Sequence, residues 1–191
     1  MGRSLNIRPE EARDHGSVHQ LTRSAFAGSE LGYHGEAELV DALRAACPEA
    51  LSLVAEDGDG TLVGHILFTP ALIEDESAAV TGMGLAPMSV APFCQGQGVG
   101  SALVRHGLAE LEARSVPFVV VLGHGEYYPR FGFERASRHG VECEFPGVPD
   151  ELFMIRIFDA DAVRPGTARY HAVFHDASHD ASDGVSDEAG D

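Results

Sequence analysis

The chain contains no lysine: its 13 Lys+Arg residues are all arginine. A Walker A loop needs lysine on its phosphates, and a pyridoxal phosphate enzyme needs one for the Schiff base, so neither chemistry is available. Cysteine is scarce too. Cys47, Cys94 and Cys143 are scattered with no CxxC pair, which suggests neither a disulfide framework nor a zinc ribbon and leaves packed, reduced thiols. There is no GxSxG nucleophile elbow, and therefore no sign of a covalent serine intermediate. No apolar run approaches the length of a membrane span, nothing near Met1 reads as a signal peptide, and MGRSLN lacks the Ser/Thr of a myristoylation signal. The expectation is a cytoplasmic protein with no membrane partner.

Positive charge is also in short supply. Thirty Asp+Glu against 13 Lys+Arg give a net charge of -17, which argues against nucleic acid as a partner. The acidic excess has two readings: a halophilic surface adapted to a salty cytosol, or a surface that recruits a cationic substrate. The acids run along the whole chain rather than in one cluster, which favours salt adaptation. With 191 residues, 44% of them hydrophobic, the chain can bury one ordinary core. The last stretch, DASHDASDGVSDEAGD, has six acids, no arginine and almost nothing to bury. Residues 176–191 therefore read as an acidic disordered tail, and 1–175 as a single domain.

The periodicity of the domain alternates between strand and helix. LNIRPEE reads as a short strand, and Val18, Leu21 and Ala25 follow at helical spacing. GEAELVDALRAAC places Leu39, Leu43 and Ala46 on one helical face before Pro48 stops it. LSLVAED, DGDG and TLVGHILFTPALI together read as a β-hairpin. TGMGLAPMSVAP supplies a further strand. Beyond it, a helix from about Gly98 carries Val104, Leu108 and Leu111 at i, i+4, i+7, followed by the all-apolar PFVVVLG. A run apolar at every position suits a strand covered on both faces, so this unit reads as a βαβ crossover with parallel strands. VECEF and LFMIRIF are further strand candidates.

The turn inside that crossover, APFCQGQGVGSALV, puts glycines at 96, 98 and 100 between strand and helix. Glycine lets the backbone approach a ligand closely, and the N–H groups that open the helix favour an anion. The Rossmann spacing fails, because a GxGxxG begun at Gly96 would need its third glycine at Ser101. What the residues do match is Q/R-x-x-G-x-G/A, at Gln95, Gly98 and Gly100. Downstream, EYYPRFGF matches Y-x-x-x-G-F at Tyr128, Gly132 and Phe133. These two ordered motifs resemble the acyl-CoA loop and the tyrosine element of the GNAT superfamily of N-acetyltransferases. The wider pattern, EAELVDALR, LAPMSVAP, VLGHGEYYPRFGF and ARYHAVF, is similar to its YhbS-type subgroup over roughly residues 5–175.

The resemblance implies an α/β (α+β) fold: a mostly antiparallel twisted sheet with one parallel strand pair, flanked by helices. It implies transfer of an acetyl group from acetyl-CoA to a primary amine by direct attack in a ternary complex. The alternatives are a non-catalytic acyl-CoA-binding module or an acyltransferase for longer acyl-CoAs. Backbone groups of Gln95, Gly96, Gln97, Gly98, Val99, Gly100 and Ser101 would hold the CoA pyrophosphate without cationic side chains. Met88, Ser89 and Val90 would pair with the pantetheine arm, and an N–H near Met88 would polarise the thioester. Tyr128 is the candidate general acid and Glu36 the first candidate base, with His124 and Glu126 beside the tyrosine as others. Tyr127 and the Phe131 and Phe133 pair read as packing residues. Arg105, Arg130 and Arg138 are candidates for the CoA phosphates. The superfamily's longer helix before the tyrosine, with its CoA-contacting Asn, has no counterpart here. His171, His175 and His179 fall at i, i+4, i+8, but Tyr170 to Phe174 resembles the family's C-terminal strand, so no metal is expected. The acceptor is a small-molecule or protein amine, and a homodimer is compatible with the sequence.

Overall fold

The computed structural model describes residues 5–28 and 33–175. The acidic tail expected at 176–191 lies outside the described residues, as does His179. The elements are β1 (Asn6–Pro9), α1 (His15–Ala27), α2 (Glu36–Ala46), β2 (Leu51–Glu56), β3 (Leu62–Glu74) and β4 (Ala79–Val90). They continue with α3 (Val99–Ala113), β5 (Phe118–Leu122), β6 (Glu134–Arg135), β7 (Val141–Cys143), β8 (Phe153–Ile157) and β9 (Gly166–Arg169). The sheet runs β1-β2-β3-β4-β5-β8-β6, with β9 paired to both β3 and β7. Its ladders are antiparallel except for β4 with β5 and a short contact of β7 with β9. The mixed sheet, the β4–β5 parallel pair and the flanking helices are as the sequence led us to expect.

Helix α3 lies on one face because its apolar stripe, including Leu103, Val104, Leu108 and Leu111, is buried over β2, β3 and β4. The approach is close: a Cβ on Gly107 would run into the Phe68 ring. On the other face, α1 and α2 bury Val18 and Val40 against Val54, and Leu43 and Cys47 against Leu67. Two expectations shift. The buried stripe of α2 is Ala37, Val40 and Leu43, while Ala46 is exposed. The C-terminal strand is β9, at 166–169; Tyr170 leaves the sheet and the chain turns helical at 173–175. An aromatic followed by residues that pack on α2, Val173 and Phe174, has no reason to keep the two-residue alternation of a strand.

The ladder between β4 and β5 holds three pairs, Met83–Val119, Gly84–Val120 and Leu85–Val121. Immediately beyond it the register of β3 with β4 slips: Phe68 pairs with Leu85 and Ile66 with Met88, so Ala86 and Pro87 together oppose Leu67. Such a two-against-one bulge bends its strand and increases the local twist. Pairing to β3 resumes through Val90 while β5 is left behind. The gap opened there is the structural basis of the site described below.

Two buried polar clusters tie the strands to the helices. Glu10, almost wholly buried, bonds Arg44 at 2.6 Å and Ser52 at 2.5 Å, and Ser52 meets the buried His65 at 2.9 Å. Burial pushes the His65 imidazole down to about 4, so it is neutral at physiological pH. The Asp14 carboxylate takes two bonds from Arg8, at 2.6 and 2.9 Å, and one from the Glu11 N–H at 2.8 Å. The Arg8 hydrogen bonds hold its pKa down to about 2. A carboxyl lowered from about 3.9 contributes stability that is present above that value and lost as pH falls through the folded value. Asp14→Asn should therefore cost about 1–3 kcal/mol at pH 7. Urea melts should show the difference from the parent protein shrinking as pH approaches 2.

Candidate active site

The alternation of an antiparallel ladder decides which backbone groups of β4 face the gap. The Ala91 N–H donates to Val63 C=O at 3.0 Å, so the groups of Ser89, two residues earlier, also point at β3. Those of Met88 and Val90 point the other way, toward the space β5 has vacated. The Val90 carbonyl there accepts the Gln95 side-chain amide at 3.1 Å. Ser89 is thus separated from its two neighbours: its side chain is buried and bonds Thr22 of α1 at 3.0 Å.

The loop that follows is braced from within. Gln97 folds its side chain back onto the Phe93 carbonyl at 2.8 Å, and the Gln95 and Gln97 N–H groups are used by Pro92 and Cys94 carbonyls. Gly98 caps α3 with φ of 90°, a left-handed conformation that an L residue adopts only with strain. The first helical bond is Ala102 N–H to Gly98 C=O at 2.9 Å, which leaves the N–H groups of Val99, Gly100 and Ser101 without an intrahelical acceptor. A Cβ at Gly96 or Gly98 would meet no protein atom within 4 Å. The turn is therefore an open cradle of N–H groups, whose free donors lie at the first turn of α3 rather than evenly along 95–101.

A cavity of about 560 Å³ joins cradle, strand edge and tyrosine: its walls include Met88, Val90, Gly98, Gly100, Ser101 and Tyr128. Tyr128 is only 7% exposed. Its ring packs edge-on against Tyr127 and Phe133, with centroids 5.1 and 5.6 Å away. Burial raises its phenol well above the usual tyrosine value, so it stays a proton donor throughout the neutral range. Tyr127, read from sequence as packing alone, also lines the cavity, with its hydroxyl 3.4 Å from Ser101 Oγ. No motif spacing distinguishes the two tyrosines in this respect.

The acid-base groups in the wall are His124 and Glu126. Glu36 is not among them: it opens α2, where its carboxylate accepts the His34 N–H at 2.8 Å. That is the role of an acid in a first helical turn. Of the three arginines singled out, Arg130 lines the cavity with its guanidinium 4.6 Å from the Tyr127 ring centroid. Arg105 lies over the Phe131 ring at 5.3 Å. Arg138 belongs to a separate depression with Arg135 and Glu151. Among the described residues, no helix is long and apolar enough to cross a membrane.

An open strand edge running into an unpaired helix N-terminus, with a buried phenol beside it, can hold an extended amide-bearing arm and its anionic end next to a proton donor. Comparison with known proteins agrees with this geometry. Residues 6–136 match the family described as Acetyltransferase (GNAT) domain. The chain is 34% identical over 170 residues to the uncharacterized N-acetyltransferase YhbS of Escherichia coli K12, covering 88% of this chain and 97% of that one. It superimposes on a GNAT family acetyltransferase from Brucella melitensis in complex with acetyl-CoA, with TM-score 0.74, 38% identity and coverage of 90% and 98%. A structure of E. coli YhbS in complex with CoA gives TM-score 0.80, 32% identity and coverage of 92% and 94%. The chain belongs to the GNAT acetyltransferase family.

Proposed function

We propose that the protein is an N-acetyltransferase that moves an acetyl group from acetyl-CoA to a primary amine by direct attack in a ternary complex. The observation that carries this reading is the meeting, in one cavity, of the free edge of β4, the N–H cradle of α3 and Tyr128. The residues fit the cosubstrate. Unpaired N–H groups at 99–101 suit a pyrophosphate in a chain poor in cations, and the Met88 and Val90 edge suits the amides of pantetheine. Arg130, exposed at the cavity wall, is placed for the adenosine-end phosphates.

Acetyl-CoA supplies the activated acyl group. The Met88 N–H, directed into the gap, is the donor for the carbonyl oxygen as negative charge develops there. An amine acceptor arrives mostly as ammonium and must shed a proton before it attacks, and His124 and Glu126 are the wall groups that can take it, directly or through water. Tyr128 delivers its proton to the departing thiolate. A pure binding module would have no use for a buried phenol held at that point, which favours the enzyme over the binding-module alternative. The acceptor is a small-molecule or protein amine. The acidic surface is read as adaptation to salt in a cytoplasm.

Two variants test the reading. Gly98→Val puts a branched side chain into the open cradle and at a positive φ. Calorimetry should show CoA binding lost, with a stability cost of about 1–2 kcal/mol for the strained backbone. Unchanged affinity in the folded variant would remove the loop from the site. Tyr128→Phe deletes only a hydroxyl. With an amine turned over by the parent protein, thiol release should fall about 10²- to 10⁴-fold while acetyl-CoA affinity is kept; an unchanged rate would transfer the acid role to water.

A further inference from the structure

Two tyrosines stand beside the end of the β4–β5 ladder, one on each face of the sheet. Tyr128 belongs to the core cluster beneath α3, and Tyr170 to the cluster on the opposite face. The Tyr170 ring lies directly over Gly84, where a Cβ would fall 2.6 Å from Cε1. Gly84 and Leu85 are the last β4 residues laddered to β5, so the ring stands over the end of that ladder, on the sheet face opposite α3. Its hydroxyl is buried. Its polar neighbours include the backbone of Leu122, the first β5 residue past the ladder, and the phenol of Tyr128.

This side chain is held firmly. The Tyr170 N–H donates to the buried Glu144 carboxylate at 2.5 Å, and that carboxylate also meets His175 at 3.1 Å. The rings of Phe145 and Phe174 flank it with centroids 5.8 and 5.3 Å away.

We propose that Tyr170 is the floor of the acyl pocket and restricts the transferred group to acetyl. The inference rests on the acetyl-CoA reading above. With the thioester carbonyl on the Met88 N–H, the acyl carbons run from Met88 toward the base of the gap, where the Tyr170 ring already stands. Each added methylene must displace a ring clamped by two others, and close-packed interiors yield poorly to added volume. Gly84 supports the device from the sheet side, since any side chain there would drive the ring out of place. The specificity residue is thus supplied by the segment after β9, on the face opposite the cosubstrate loop.

The test is calorimetric titration of acetyl-, propionyl- and butyryl-CoA, with no acceptor present, into the parent protein and Tyr170→Phe, Tyr170→Leu and Tyr170→Ala. The parent should bind acetyl-CoA about 10-fold or more tightly than butyryl-CoA, the range that surplus methylenes command in a fitted pocket. Tyr170→Phe keeps the ring and should keep the preference. Tyr170→Leu and Tyr170→Ala open the floor and should bring the two affinities to within about twofold. Tyr170→Leu, the better space-filler, decides the matter if Tyr170→Ala does not fold. Equal affinities in the parent, a preference lost already in Tyr170→Phe, or one retained in Tyr170→Leu would overturn the floor while leaving acetyl-CoA binding in place. Failure of the parent to bind acetyl-CoA at all would overturn the acetyltransferase reading and the floor with it.

Discussion

The parallel ladder of β4 and β5 ends after three pairs, and the rest of the site depends on that ending. A continued ladder would consume the N–H and C=O groups of Met88 and Val90 and leave no space between the strands. Ala86 and Pro87 end it by standing together against Leu67. Pro87 has no N–H to give to any ladder, and the bulge turns β4 away while β3 still holds it.

Glycine and aromatic residues set the geometry around this gap in complementary ways. Gly107 brings α3 down onto Phe68, and Gly64 lets Val99 and Leu103 at the N-terminal end of the helix come close to β3. Gly84 lets Tyr170 lie on the sheet from the other side. Tyr127, Tyr128, Phe131 and Phe133 form a run of edge-on rings that holds the 3-10 turn at 128–131 in place. Two tyrosines are thereby set on opposite faces of the sheet, in separate cores, near the end of the β4–β5 ladder. The proton donor and the proposed acyl floor can vary independently.

Much of this was legible in the sequence, for physical reasons. A positive-φ helix cap and a backbone cradle need glycine at fixed offsets, and the Gln95, Gly98, Gly100 spacing shows it. The tyrosine element is read in the same way, because Gly132 turns the chain at φ of 84° four residues after Tyr128. The periodic helices and the long hairpin were visible as well. What escaped reading depends on ladder phase and tertiary neighbours. Ser89 looks equivalent to Met88 and Val90 until the Ala91–Val63 bond fixes which groups face the gap. No spacing in the sequence shows that Glu36, at the start of α2, is not among the residues lining the cavity with Tyr128. Tyr170 reads as strand because its role is set by Gly84, some eighty residues earlier. Strands as short as β6, with two residues, carry no period at all.

On the proposed reading, backbone N–H groups rather than cationic side chains hold the anionic cosubstrate. The most direct measurement is a ¹⁵N-resolved NMR titration with CoA, following backbone amides and arginine side chains together. The largest downfield amide shifts are expected at Val99, Gly100 and Ser101, with Met88 and Val90 responding and the arginines other than Arg130 nearly still. Shifts concentrated on arginine side chains, with the α3 amides unmoved, would contradict it.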